Sequence, residues 1–333
     1  LPDLQLHHPR GAARGDAVSA VAWLTQFLEV LAALVLAPLF LGWVNACRAW
    51  LQNRRAPSVL LPYHGIRKLF HKDAVIAENA SPLFRVAPYI VFGAMVAAAA
   101  VIPSMGTGLP FRSAADAIAL VGLLAIARVF MSLAAMDIGT AFGTLGARRE
   151  MMIGFLAEPA LLMVIFVASL LSATTALPLI AERLAVQDLA LYPSLAFTAV
   201  AFTMVLLAEN ARIPVDNPAT HLELTMIHEA MLLEYSARHL ALMEWAAALK
   251  LFNYACIGFA LFVPWGASIG ETGIGALALS LPALLAKLGV AGLWLALLET
   301  VSAKLRVFRA PEFMATAFMF AVLGLLVHLL LGA

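Results

Sequence analysis

Leu191-Tyr-Pro-Ser-Leu-Ala-Phe-Thr-Ala-Val-Ala-Phe-Thr-Met-Val-Leu-Leu-Ala208 runs straight into Glu209-Asn-Ala-Arg-Ile-Pro-Val-Asp216-Asn-Pro-Ala-Thr-His221-Leu-Glu-Leu-Thr-Met-Ile-His228-Glu-Ala-Met-Leu-Leu-Glu234-Tyr-Ser-Ala-Arg238. The first stretch carries no charge and is long enough to cross a bilayer. The second is densely polar, and another apolar run follows it from His239. Ionisable groups at membrane depth are costly, so they face a protein interior or a wet cavity and mark an ion or substrate pathway. This junction sets the fold class and directs the search for function.

The same apolar pattern recurs along the chain. Of 333 residues, 63% are hydrophobic and 12% charged, whereas soluble domains are about half apolar and a quarter charged. Eight spans are predicted, approximately Val18–Val44, Val86–Pro103, Ala114–Met136, Met151–Ser172, Leu191–Ala208, His239–Trp265, Gly275–Leu298 and Glu312–Leu331. Helices are required, because lipid leaves backbone groups no outside partner and the runs lack the alternation of barrel strands. The expectation is an all-α polytopic membrane protein: a polar tail over 1–17, then a single eight-helix domain over 18–333. Its docking loops would be 45–85, 137–150, 209–238 and 299–311.

Net charge is +1, which gives no electrostatic footprint for nucleic acid. Cys47 and Cys256 stand in different segments, so this chain alone cannot build a CxxC zinc site or an iron–sulfur cluster. The first residues, through roughly Asp16, lack the basic-then-apolar order of a signal peptide.

Lysine and arginine set the expected orientation. The first loop holds Arg48, Arg54, Arg55, Arg67, Lys68 and Lys72. The third holds Arg148 and Arg149, the fifth is bounded by Arg212 and Arg238, and the seventh holds Lys304, Arg306 and Arg309. The alternate side has little beyond Arg10, Arg14, Arg112 and Arg183. Odd loops are therefore expected in the cytoplasm, with both termini outside. No internal repeat of the kind that marks many secondary transporters is evident.

Glu158 sits about two turns into the fourth span, just before Pro159. Burial penalises its charged form, which makes it a candidate for proton exchange; the plainer reading pairs it with an arginine on a neighbouring helix. Arg128, Lys250 and Lys287 are the internal cations, with Glu29 and Glu244 as further internal anions. Together they suggest a charged membrane axis, although packing or snorkelling explains any one of them equally well. Lys250 lies six residues past Glu244, so the two face different ways and need other partners.

In the fifth loop, Pro214 and Pro218 stop the preceding helix, and Thr220 with Glu223 forms a capping box for a new one. Glu234 and Arg238 are spaced to pair across one helical turn. His228-Glu229 begins like HExxH, but Leu232 stands where the second histidine belongs, so a metal is not expected. No phosphate loop or nucleophile elbow is present. What remains is a set of acids and imidazoles able to pass protons.

The central stretch, Glu209-Asn-Ala-Arg-Ile-Pro-Val-Asp216 followed by His221 to Ser236, resembles the respiratory complex I subunit 1 family, the quinone-site H subunits. It looks closer still to formate hydrogenlyase subunit 4 and the membrane anchor subunit of energy-converting NiFe hydrogenases. Further matches are Asn53-Arg-Arg-Ala-Pro-Ser-Val-Leu-Leu-Pro-Tyr63, Asp137-Ile-Gly-Thr with Gly146-Ala-Arg-Arg-Glu150, and Ala157-Glu158-Pro159. The similarity runs from about Leu24 to the end.

The resemblance implies an eight-helix subunit anchoring a soluble redox arm to antiporter-like membrane subunits. It implies that Glu158, Glu209, Asp216, Glu223, Glu229 and Glu234, with His228, form an acidic funnel for protons or sodium. Arg54, Arg55, Arg148, Arg149, Glu150 and Arg212 would dock the arm. The NiFe centre and iron–sulfur clusters would belong to partners (hydrogenase large and small subunits and an iron–sulfur subunit), with no cofactor or catalytic residue in this chain. Where complex I subunits carry a Leu-Pro-Glu-Ala-Glu type run, this chain has Asn217-Pro-Ala-Thr-His221-Leu-Glu223, which favours the hydrogenase type. The alternatives are a quinone-site complex I subunit, a standalone cation transporter and a purely structural anchor.

Overall fold

The computed structural model describes residues 20–108, 110–113, 115–187, 192–216, 226–269, 274–303 and 309–331. Eleven α-helices follow in order: α1 (Ala20–Leu51), α2 (Leu61–Phe70), α3 (Pro82–Val101), α4 (Ala117–Asp137), α5 (Ala141–Ser172), α6 (Leu177–Val186), α7 (Pro193–Glu209), α8 (His228–Leu232), α9 (Ala237–Phe262), α10 (Ile274–Val301) and α11 (Ala310–Leu331). Seven of them are long and apolar enough to cross a membrane. The fifth expected span, α7, has 17 residues and stands at the short end of the spanning range. The chain is a helical, multi-pass membrane protein.

Local chemistry sets the helix ends. Ser81 caps α3 through Leu83 N (3.1 Å), with Pro82 opening the helix, and Asp116 caps α4 through Ile118 N (2.9 Å). Inside α1, Pro38 has no N–H to give the Leu34 carbonyl. The Trp245 indole fills that place at 3.1 Å and ties α9 to the notch. Neighbours pack in the order α10, α1, α9, α3, α4, α5 and α7, with α11 against α5 and α7.

Several expected boundaries move. The third loop, drawn over 137–150, is short, because α5 begins at Ala141 and carries Arg148, Arg149 and Glu150 on helix. α1 extends to Leu51 and α10 to Val301, which trims the first and seventh loops. The first loop contains α2, and α6 follows the fourth span; neither was anticipated. The expected helix from Thr220, with His221 and Glu223, lies outside the described residues. Glu234 and Arg238 do not share a helix, since α8 stops at Leu232 and α9 starts at Ala237, so their one-turn pairing has no frame.

Glu29 sits at the even-loop end. One carboxylate oxygen accepts from Ser104 N (3.1 Å), Ser104 Oγ (2.8 Å), Met105 N (2.7 Å) and Gly106 N (3.3 Å). It fastens the turn after α3, and that turn pairs with Ser268 after α9. Lys287 is at the same end, its Nζ donating to Val263 O at 2.7 Å. Neither joins the central charges.

Candidate functional site

Arg128 projects from the middle of α4 and is buried. Its guanidinium is ion-paired with Glu158 of α5 and Glu209 at the end of α7, and its Nε lies 3.6 Å from Glu150 of α5. Lys250 of α9 meets the other Glu209 oxygen at 3.0 Å. The His228 ring stands 3.3 Å from the second Glu150 oxygen. A Cβ at Gly154 would fall 2.6 Å from Arg128 Nη1, so a side chain there would push the guanidinium from its present place. Tyr254 is fully buried and within electrostatic reach of Arg128 and all three acids.

Five helices thus contribute to one network. Three carboxylates face two fixed cations, leaving the group one proton from neutrality. In a low-dielectric interior such a group can gain or lose a proton with less penalty than an isolated charge.

A cavity of about 480 Å³ opens beside the network. Arg128, Glu150, Glu209, His228 and Lys250 line it, together with Glu229, Glu244, Arg48 and Arg212; Leu61, Pro62 and Ile66 of α2 form a wall. Glu229 and Glu244 are close enough to repel. Among the described residues, no group of three or more His, Cys, Asp and Glu could hold a metal ion.

Some expected members play other parts. Asp216 is buried, and its Oδ2 accepts from Ile227 N and His228 N, both at 3.1 Å, fixing the start of α8 and thereby His228. Glu234 is exposed. Glu150 and Arg212, expected on the docking face, are buried in ion pairs instead. Arg212 Nη1 meets Glu299 at 3.0 Å, and Arg48 reaches the same carboxylate at 3.4 Å. Arg149 donates to Met226 O at 3.3 Å, whereas Arg54, Arg55 and Arg148 are exposed. Sequence reasoning missed Glu299, Gly154 and Tyr254. The one available signal was a carboxylate, Glu299, ending an apolar run.

The family model for NADH dehydrogenase matches residues 25–330. The chain belongs to that family, whose pattern is that of complex I subunit 1. Two relatives from Escherichia coli (strain K12) agree. Formate hydrogenlyase subunit 4 is 33% identical over 301 residues, covering 90% of this chain and 97% of that protein. Hydrogenase-4 component C is 35% identical over 234 residues, covering 70% and 73%. A chain in the structure of the membrane-bound sulfane sulfur reductase, an archaeal respiratory membrane complex, shares the fold: TM-score 0.75, 19% identity, and coverage of 91% of this chain and 98% of that one.

Proposed function

We propose that this chain is the membrane anchor subunit of an energy-converting hydrogenase or formate hydrogenlyase type complex. In this reading the Arg128 network converts redox turnover in soluble partners into ion translocation by antiporter-like neighbours. Those partners would hold the NiFe centre and iron–sulfur clusters. The observation that carries the reading is a buried network one proton short of charge balance, lining a cavity on the odd-loop side. The likeness to formate hydrogenlyase subunit 4 over nearly its whole length supports the hydrogenase type. With the odd loops in the cytoplasm, both termini would lie outside an inner membrane.

Turnover that alters charge near His228 or Glu229 would shift the proton between Glu150 and His228. Arg128 carries the change to Glu158, whose side chain is 35% exposed on the bundle flank and so accessible to a neighbouring subunit. Glu158→Gln and Glu229→Gln keep the shape and remove one charge each. The complex should assemble, because an amide is cheaper to bury than a carboxylate. Ions moved per electron in reconstituted vesicles should fall sharply in both. Wild-type stoichiometry in two intact variants would leave these acids as structural partners only.

Docking of the arm is assigned to the exposed Arg54, Arg55 and Arg148, with Arg149 behind them holding the α8 approach. Reversing charge at Arg148 and Arg149 should release the soluble subunits from purified membranes. Full retention with normal turnover would remove these residues from the interface.

A further inference from the structure

The segment between α1 and α3 does not lie beyond the membrane end of the bundle; it folds back alongside it. A Cβ at Gly42 would sit 2.8 Å from the carbonyl carbon of Val59, and the Tyr63 hydroxyl donates to the Val35 carbonyl. Val35 is 16 residues before the end of α1, about 24 Å back at 1.5 Å per residue. At the other end, Gln26 donates to Ala100 O of α3. Since α3 is 20 residues long, roughly 30 Å, its start at Pro82 lies level with about residue 44 of α1. Val59 and Tyr63 are therefore at or inside the level where the neighbouring span begins. α2 is thus packed against the odd-loop end of the bundle rather than standing clear of it.

Its two sides have opposite chemistry. Ile66 is buried, Tyr63 leans on α1, and Phe70 packs edge-on to Trp245 of α9 at 6.5 Å. Outward stand His64, Arg67, Lys68, His71 and Lys72, all exposed and one turn apart along a stripe. The imidazoles of His64 and His71 engage Leu60 O (2.9 Å) and Arg67 O (2.7 Å) through Nδ1, which leaves each Nε2 on the outer side. Leu60 and Val75 of the same segment are also exposed, whereas Leu61 lines the cavity. Asp73 is the adjacent acid. Cations beside exposed apolar side chains, at the end of the spans, match an anionic lipid surface.

We propose that α2 is an interfacial helix that binds anionic phospholipid headgroups through Arg67, Lys68 and Lys72. Its apolar fringe enters the acyl region, and its inner face closes one side of the cavity. This assignment stands on the geometry of α2 alone and does not require the ion-coupling role. The lipid headgroup holds the helix against α1 and α9, so lipid composition sets how firmly that cavity wall is seated.

The test compares phosphatidylglycerol with phosphatidylcholine binding to the detergent-solubilised full chain by native mass spectrometry. The wild type should prefer phosphatidylglycerol. Arg67→Gln/Lys68→Gln/Lys72→Gln should lose that preference, by roughly fivefold for each cation removed. Raising salt to about 1 M, where screening acts within about 3 Å, should erase it in the unaltered protein and so needs no variant to fold. A wild type without preference, or a triple variant that retains it, overturns the proposal. Retained preference together with loss of soluble subunits from the complex would assign the stripe to a protein partner.

Discussion

Arg128→Met should lower the stability of the purified chain by about 3–5 kcal/mol in denaturant unfolding, the usual loss when one side of a buried ion pair is removed. The loss arises from the acids left behind. Glu209 keeps Lys250 at 3.0 Å, and Glu158 is partly exposed. Glu150, 3% exposed, is left with His228 alone. A second change, Glu150→Gln, should therefore recover more stability than Glu158→Gln or Glu209→Gln, the last of which strands Lys250. Arg128→Lys should fall between, because one ammonium cannot span three carboxylates on separate helices. Equal recovery by all three second changes would contradict the unequal partnering.

The second large effect concerns two glycines on either side of the cavity. Gly42→Ala places a methyl against the Val59 backbone, which cannot rotate away as a side chain would. The expected outcome is a loss of about 1–3 kcal/mol, the range for overpacking, with faster proteolysis between Arg55 and Leu61. Gly65→Ala in α2 meets nothing within 4 Å and replaces a poor helix former, so it should be neutral or stabilising by up to about 1 kcal/mol. The same chemical change has opposite signs at two positions, and melting curves of both variants check it.

Long apolar runs made the spans legible, because burial in lipid requires an uninterrupted length of them. Their ends were less legible. α5 starts ten residues earlier than expected, since Gly146-Ala-Arg-Arg-Glu150 reads as a polar loop until Arg128 and Met226 are known to receive its charges. α2 was hidden because a ten-residue interfacial helix with two prolines nearby carries neither a spanning length nor a strong stop signal. Within the site, the special character of Glu158, Glu209, Arg128 and Lys250 was visible, as charges in apolar sequence are few. The pairing of Glu158 with an arginine on a neighbouring helix was legible too, and that arginine is Arg128; the convergence of Glu209, Glu150 and Lys250 on the same group was not, because α4, α5, α7 and α9 meet only in the folded bundle. Glu150 and Arg212 were misassigned to the surface for that reason: basic and acidic residues beside a loop look the same whether they face water or each other. Asp216 kept its importance with a different task, as the cap of α8.

The shortness of α7 has an electrical consequence. At 17 residues it spans about 26 Å, against a hydrocarbon thickness near 30 Å. In the proposed coupling role, its last residue, Glu209, and the charges gathered there would stand at the edge of the insulating slab. A proton reaching them from the odd-loop side would already have moved through part of the transmembrane voltage, where a full crossing is worth about 2.3 kcal/mol per 100 mV. On that reading the occupancy of the network would depend on voltage as well as on proton concentration. An energised membrane would then bear on this chain at the moment of proton capture, before any ion had crossed.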